Sequence, residues 1–196
     1  MGLSAKNQTV EVDDRVEGLV SRAQSGEQDA FTLLYREYVA QIYRYIYLRV
    51  GQSAQAEDLT QEVFLRVIKN IGNYRYRGRP FVSWLFRIAH NLVIDYYRQM
   101  KKEGTVFFID SISITVDDDP AVTVEQDMEM LEIKQAIDKL PPRQREVISL
   151  RFGSELSIAE TARAIGKTEG TVKKLQYEGI IKLRKLMEKW GRRVTT

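Results

Sequence analysis

Tyr74-Arg75-Tyr76-Arg77-Gly78-Arg79-Pro80 sets aromatic rings and guanidinium groups in alternation. Arginines neutralise phosphates, and rings offer flat faces on which unpaired bases stack, at about 1–3 kcal/mol per base. Just downstream, Trp84, Arg87, Asn91, Asp95 and Arg98 fall within about 80° of one another on a helix, a polar stripe carrying one tryptophan. The chemistry on offer is capture of nucleic acid whose bases are exposed. The same residues also suit a plainer role, because aromatics more often sit half-buried with only their polar tips in water. His90 lies off the stripe and reads as a surface histidine.

A second constellation precedes it. Asp58, Gln61, Glu62 and Leu65 follow i, i+3, i+4, i+7 spacing on the side of a helix away from Leu59, Val63 and Val67. A leucine among acids is wrong for nucleic acid but right for a protein partner with an apolar centre and basic groups around it. A solvated face with one incidental leucine has the same spacing.

The third lies near the C-terminus. Ser157-Ile158-Ala159-Glu160 is a capping box, Gly166 permits a left-handed turn, and Thr168 is placed to cap the helix that follows. Ile158, Ala162 and Ile165 face inward from the first helix, and Val172, Leu175, Gly179, Leu183 and Leu186 from the second. Short helix, glycine turn and longer basic helix is the geometry that seats a recognition helix in the major groove, and also that of an ordinary helical hairpin. Lys173, Lys174 and Tyr177 project outward from its early turns, Thr171 precedes them and Lys182 follows.

Other chemistries lack their residues. There is no cysteine and one histidine, which removes thiolate catalysis, disulfide scaffolds and Cys- or His-based metal sites. No Walker-type glycine loop is present, and Asp117-Asp118-Asp119 lacks the alternation of a calcium loop. Nothing points to an enzyme, a cofactor or a small-molecule substrate. No run approaches the ~18–20 apolar residues that span a bilayer, and the N-terminal residues lack a secretory pattern. A cytoplasmic, soluble protein without membrane insertion is the expectation.

These groups must be positioned by helices. Phe31, Leu34, Tyr35, Tyr38, Ile42, Tyr45 and Ile46 predict a helix over 29–50. Leu59, Val63, Val67 and Ile71 predict one over 56–71, and Phe81, Leu85, Ile88, Leu92 and Tyr96 one over 80–100. An earlier helix spans about 13–25. Helices resume over 130–139, from Pro142 to Phe152, over 157–165 and over 169–189. Between them, Val106–Ile109 and Ile112–Val116 have the composition of short strands, but with no partners they read as anchors in a linker.

Charge divides the chain in the same places. Residues 1–100 carry 13 basic against 11 acidic residues, 101–131 carry 2 against 8, and 132–196 carry 15 against 8. Two basic regions flanking an acidic middle fit polyanion binding, although either block alone also fits a solvated surface. The expected fold is all-α: a disordered tail (1–12), a helical domain (13–100), an acidic linker (101–129) and a second helical domain (130–196).

Taken together, the pieces resemble a known family. DAFTLLYREYVAQIYRYI, AEDLTQEVFLRVI and FVSWLFRIAHNLVIDYYR, within Phe31 to Arg98, are similar to the second conserved region of bacterial sigma-70 initiation factors. AIDKLPPRQREVISLRF through ELSIAETARAIGKTEGTVKKLQYEGIIKLRKLM is similar to their fourth region. The short linker and missing third domain point to the extracytoplasmic-function type.

The resemblance implies a protein that works by binding core RNA polymerase, through its clamp and flap, and promoter DNA. Asp58, Gln61, Glu62 and Leu65 match the core-binding helix. Tyr74, Arg75, Tyr76, Arg77, Arg79, Trp84, Arg87, Asn91 and Arg98 match the part that opens the −10 element. The 169–182 helix, with Thr171, Lys173, Lys174, Tyr177 and Lys182, is expected in the major groove at −35. An anti-sigma factor is a further partner the family admits. Glu178 departs from the pattern, standing where relatives tend to carry a basic residue, and Gly179 stands where alanine is frequent. The other reading is a helix-turn-helix regulator acting without polymerase, which would need neither the 58–65 face nor the aromatic and arginine segment.

Overall fold

The computed structural model describes residues 3–76, 80–102 and 133–189, with side chains from residue 14 to residue 188 within those ranges. Among the described residues there is no strand. The first domain is built from α1 (Leu3–Gln24), α2 (Gln28–Val50), α3 (Ser53–Asn70), a 3-10 turn (Ile71–Asn73) and α4 (Phe81–Lys102). The second has a short helix α5 (133–138), α6 (Pro142–Ile148), α7 (Ile158–Ile165) and α8 (Glu169–Lys189). The expected linker and its two strand-like segments lie outside the described residues.

Helix α1 begins at Leu3, so residues 3–12 continue it where a disordered tail was expected. No proline or glycine interrupts Leu3–Glu17, so the backbone has nothing to break the helical ladder. Val16, Leu19 and Val20 from α1 join Leu34, Ile42, Tyr45 and Ile46 from α2, Val63 and Val67 from α3, and Phe81, Leu85 and Phe86 from α4 in one core. Each such side chain contributes about 1.5–3 kcal/mol on burial. Arg15 Nη2 donates to both carboxylate oxygens of Glu37, at 2.7 and 2.8 Å, and clips α1 to α2 at the rim.

The second domain is ordered by local chemistry. Ser157 Oγ accepts from the Glu160 amide at 3.2 Å, while the Glu160 carboxylate accepts from the Ser157 amide at 2.7 Å. Gly166 ends α7 with φ +66, a conformation costly for residues with a Cβ. Thr168 Oγ1 then accepts from the Thr171 amide at 3.2 Å and starts α8. The expected single helix from Pro142 to Phe152 changes character at Ser149, where a π-helical turn (Ser149–Gly153) takes over. The wider turn carries Leu150 and Gly153 onto the first domain.

Candidate nucleic-acid interface

On α3, Asp58, Gln61 and Leu65 are exposed and Glu62 is half-exposed, held by a 2.8 Å hydrogen bond from Arg66 Nε. Leu65 is 49% exposed, and Ile68, one turn further on and absent from the sequence-based set, is 53% exposed. Two uncovered aliphatic side chains beside three polar groups form an apolar centre with an acidic border. Ile68 lies three residues beyond Leu65 on the same outward face, so the spacing that picks out Leu65 extends to it.

At the end of α3 the chain turns into a cleft of about 260 Å³ lined by Arg66, Asn70, Asn73, Tyr74, Trp84, Ile88 and Asn91. The turn is fixed to α1, because Gln24 Nε2 donates to Ile71 O and Tyr74 O, both at 2.8 Å. Tyr74 and Trp84 line one side of the cleft and pack with the buried ring of Phe81 behind them, the three centroids 5.2–5.7 Å apart. The volume lies below the ~300–1,000 Å³ of pockets for drug-sized ligands and suits one flat ring. Amides of Asn70, Asn73 and Asn91 and the guanidinium of Arg66 supply donors and acceptors around it, as base edges require. Asn70, Asn73 and Arg66 were missed in the sequence because they belong to a helix end and a turn outside the aromatic and arginine run.

The residues expected to grip DNA separate here. Arg87, Asn91 and Arg98 are exposed along α4, Tyr76 is 60% exposed, and Trp84 is half-buried at the edge of the cleft. Tyr74 is corrected from a base-stacking residue to a core residue. It is 6% exposed, wedged against Phe81 and Trp84, and its hydroxyl donates to Glu17 at 2.9 Å. Arg75 is exposed, but its Nη1 donates to Gly72 O and Tyr74 O at 2.7 and 2.8 Å, so it braces its own turn. Arg77 and Arg79 lie outside the described residues.

His90 is likewise corrected from a surface residue. Its Nδ1 lies 2.8 Å from Glu146 Oε1 on α6, with both side chains mostly buried between the domains. Burial opposes ionisation of Glu146, but the hydrogen bond and charge of His90, then Arg49 and Lys167, outweigh it. The carboxyl therefore sits below its ordinary value.

Thr171, Lys173, Lys174 and Lys182 are exposed on α8, and Tyr177 is 67% exposed. Thr171 Oγ1 lies 2.9 Å from Thr168 Oγ1, so the cap also engages it. Val172 is buried with Val147 and Ala162, which fixes the opposite face of α8 against α6 and α7. Glu178 points back: Gln144 Nε2 donates to its Oε2 at 3.0 Å, and Lys174 Nζ lies 4.0 Å from its Oε1. A Cβ on Gly179 would meet Ile148 Cγ1 at 2.8 Å, so α6 and α8 approach more closely than alanine allows.

Comparison with known proteins finds two family matches in this chain. Residues 34–103 match the Sigma-70 region 2 family and residues 136–185 the Sigma-70 region 4 family. The ECF RNA polymerase sigma factor BldN of Streptomyces coelicolor is 43% identical over 174 residues, an alignment covering 88% of this chain and 66% of BldN. The ECF RNA polymerase sigma factor SigW of Bacillus subtilis is 34% identical over 178 residues, covering 85% of this chain and 93% of SigW. In fold, the chain is similar to the sigma factor RpoE from Bartonella quintana, solved as a co-crystal with the anti-sigma factor NepR. That likeness has a TM-score of 0.63 at 22% identity, over 81% of this chain and 96% of the other.

Proposed function

The chain belongs to the extracytoplasmic-function sigma factors of RNA polymerase in the sigma-70 family, and from that premise we propose how its surfaces divide the work of initiation. Asp58, Gln61, Glu62 and Leu65, extended by Ile68, dock on the clamp of core polymerase. Exposed aliphatic groups supply the desolvated centre and the acids steer basic partner groups to it. The second domain engages the flap and lays the early turns of α8 in the major groove of the −35 element. There Lys173, Lys174 and Tyr177 reach base edges or phosphates, with Thr171 and Lys182 at the margins.

The observation that carries the −10 assignment is the cleft. The half-buried ring of Trp84, faced by three amides and a guanidinium beside exposed Arg87 and Arg98, is suited to a single unstacked base and its flanking phosphates. Unstacking costs a few kcal/mol per base, and stacking on a ring returns about 1–3 kcal/mol. Capture of a base thus offsets its loss from the duplex without any bond being made or broken. The protein acts by binding, on cytoplasmic DNA; no described helix is long and apolar enough to cross a membrane. An anti-sigma factor would act by covering these same surfaces. A regulator working without polymerase is disfavoured because it leaves Leu65 and Ile68 unexplained.

The assignment is tested by gel filtration with core polymerase. Leu65→Asp and Ile68→Asp should each abolish co-elution while circular dichroism stays unchanged. Co-elution of both variants at wild-type levels would overturn it.

A further inference from the structure

Within residues 66–98, Asp95 is the one acid against seven arginines and lysines. It stands on the outward stripe of α4 with Arg87, Asn91 and Arg98, and all four side chains are exposed. An acid on a face that meets phosphates costs affinity through repulsion. Neither the cleft nor the phosphate contacts give it a use.

Its neighbour does. Asp95 Oδ1 lies 3.5 Å from Arg98 Nη1, beyond the ~2.7–2.9 Å of a charge-assisted hydrogen bond. By contrast, Glu62 accepts from Arg66 at 2.8 Å, and Glu37 from Arg15 at 2.7 and 2.8 Å. The Asp95 and Arg98 side chains remain 56% and 73% exposed. The pair is therefore loose. The carboxylate is near enough to orient the guanidinium, and both keep hydrogen-bonding groups open to solvent.

Side by side, they present one acceptor next to a fork of donors. A C·G pair shows the complementary order in the major groove: guanine N7 and O6 accept together, and the cytosine N4 amine donates beside them. Arginine takes N7 and O6 bidentately, and a carboxylate suits the amine. An A·T pair alternates acceptor, donor and acceptor before a methyl group, so no two neighbouring acceptors meet the fork.

The stripe also fixes where such a pair would lie. Asn91 lines the cleft, and Asp95 and Arg98 follow it by about 6 and about 10 Å along the helix axis. Asp95 is about 16 Å beyond Trp84. At about 3.4 Å per base pair, that is no more than about five pairs from the captured base. The major groove admits a helix, and α4 continues to exposed Lys101 and Lys102, which suit the bordering phosphates.

We propose that Asp95 and Arg98 act as one unit that reads a single C·G pair in the duplex bordering the opened segment, Arg98 on the guanine and Asp95 on the cytosine amine. The proposal rests on the −10 assignment above.

The full-length protein with core polymerase is titrated onto promoter DNA whose −10 segment is left unpaired. The base pairs that border that segment on the −35 side, about five of them, are varied one at a time. Wild type should favour C·G at one of these positions by about tenfold over the other pairs. Asp95→Ala should erase that preference without a general gain in affinity. Arg98→Lys keeps the charge but not the fork and should weaken it. A 7-deazaguanine at the selected pair, which lacks N7, should weaken wild-type binding and leave Arg98→Lys unchanged. A preference retained by Asp95→Ala overturns the proposal. So does tighter binding of Asp95→Ala to every sequence with a steeper salt dependence, since the acid then only repels phosphates. If no bordering position selects C·G while the unpaired bases are still selected, the proposal falls and the −10 assignment stands. Loss of selection at the unpaired bases removes both.

Discussion

Gln144 on α6 donates its Nε2 to Glu178 on α8 at 3.0 Å and draws that carboxylate off the outward face of the recognition helix. Under the proposed −35 contact, the pairing gives an acid on this helix a place. The same carboxylate lies 4.0 Å from Lys174 Nζ, and under that contact this position on the α6 side would hold it away from the phosphates.

Replacing the acid by a base should therefore add a phosphate contact without changing sequence preference. Glu178→Arg is expected to tighten binding to −35 duplexes of any sequence and to steepen the salt dependence by about one unit. Isotherms at several salt concentrations, on the preferred site and its single-base variants, check this. Loss of affinity confined to the preferred site would mean that Glu178 reads a base.

Gly179→Ala introduces a methyl 2.8 Å from Ile148 Cγ1. Overpacking of this kind costs about 1–3 kcal/mol, set against a gain of up to about 1 kcal/mol from helix propensity. Net destabilisation of about 1 kcal/mol is expected, read as a lower Tm. Shortening the neighbour in the double variant with Ile148→Val should cost less than the two changes summed.

Tyr74 and Trp84 touch each other but should behave differently. Tyr74→Phe removes the hydroxyl bonded to Glu17 and should cost about 0.5–1.5 kcal/mol of stability, with strand opening intact. Trp84→Ala removes the lip of the cleft and should impair open-complex formation more than closed-complex binding. Permanganate footprinting on normal and pre-melted promoters distinguishes them. A Trp84→Ala defect that pre-melting does not relieve would remove this residue from strand opening.

The His90–Glu146 contact predicts an acid limit to the packing of α4 against α6. The folded-state carboxyl of Glu146 lies below its ordinary 4.5. Its stabilising contribution is therefore complete above pH 4.5 and is lost as the pH falls through the lower folded value. Thermal melts from pH 7 to pH 3 should show that loss in the wild type. In Glu146→Gln they should show lower stability at neutral pH and a flatter profile; an unchanged profile would contradict the assignment.

What the sequence made legible was what is settled locally. Ser157, Glu160, Gly166 and Thr168 lie within twelve residues and mark both ends of α7 by themselves. The outward positions of Leu65, Lys173 and Tyr177 follow from helical spacing alone. Tyr74 was misread because alternation with arginine imitates a surface motif, while Phe81 and Trp84 arrive from the next helix to bury it. The burial of Leu48 among Ile137, Leu140 and Ile148 of the second domain, and the meeting of His90 with Glu146, join positions dozens of residues apart. Leu48 reads as one more apolar residue in α2, and a lone histidine carries no mark of the carboxylate it will face.

The central claim is that this chain confers promoter selectivity on RNA polymerase through two separately read elements. Run-off transcription with purified core polymerase tests it directly, on a promoter library varied at −10 and −35. Addition of the chain should produce discrete transcripts that depend on both elements, and Trp84→Ala should lose them on duplex but not on pre-melted templates. Transcription unchanged by the chain, or insensitive to either element, would contradict it.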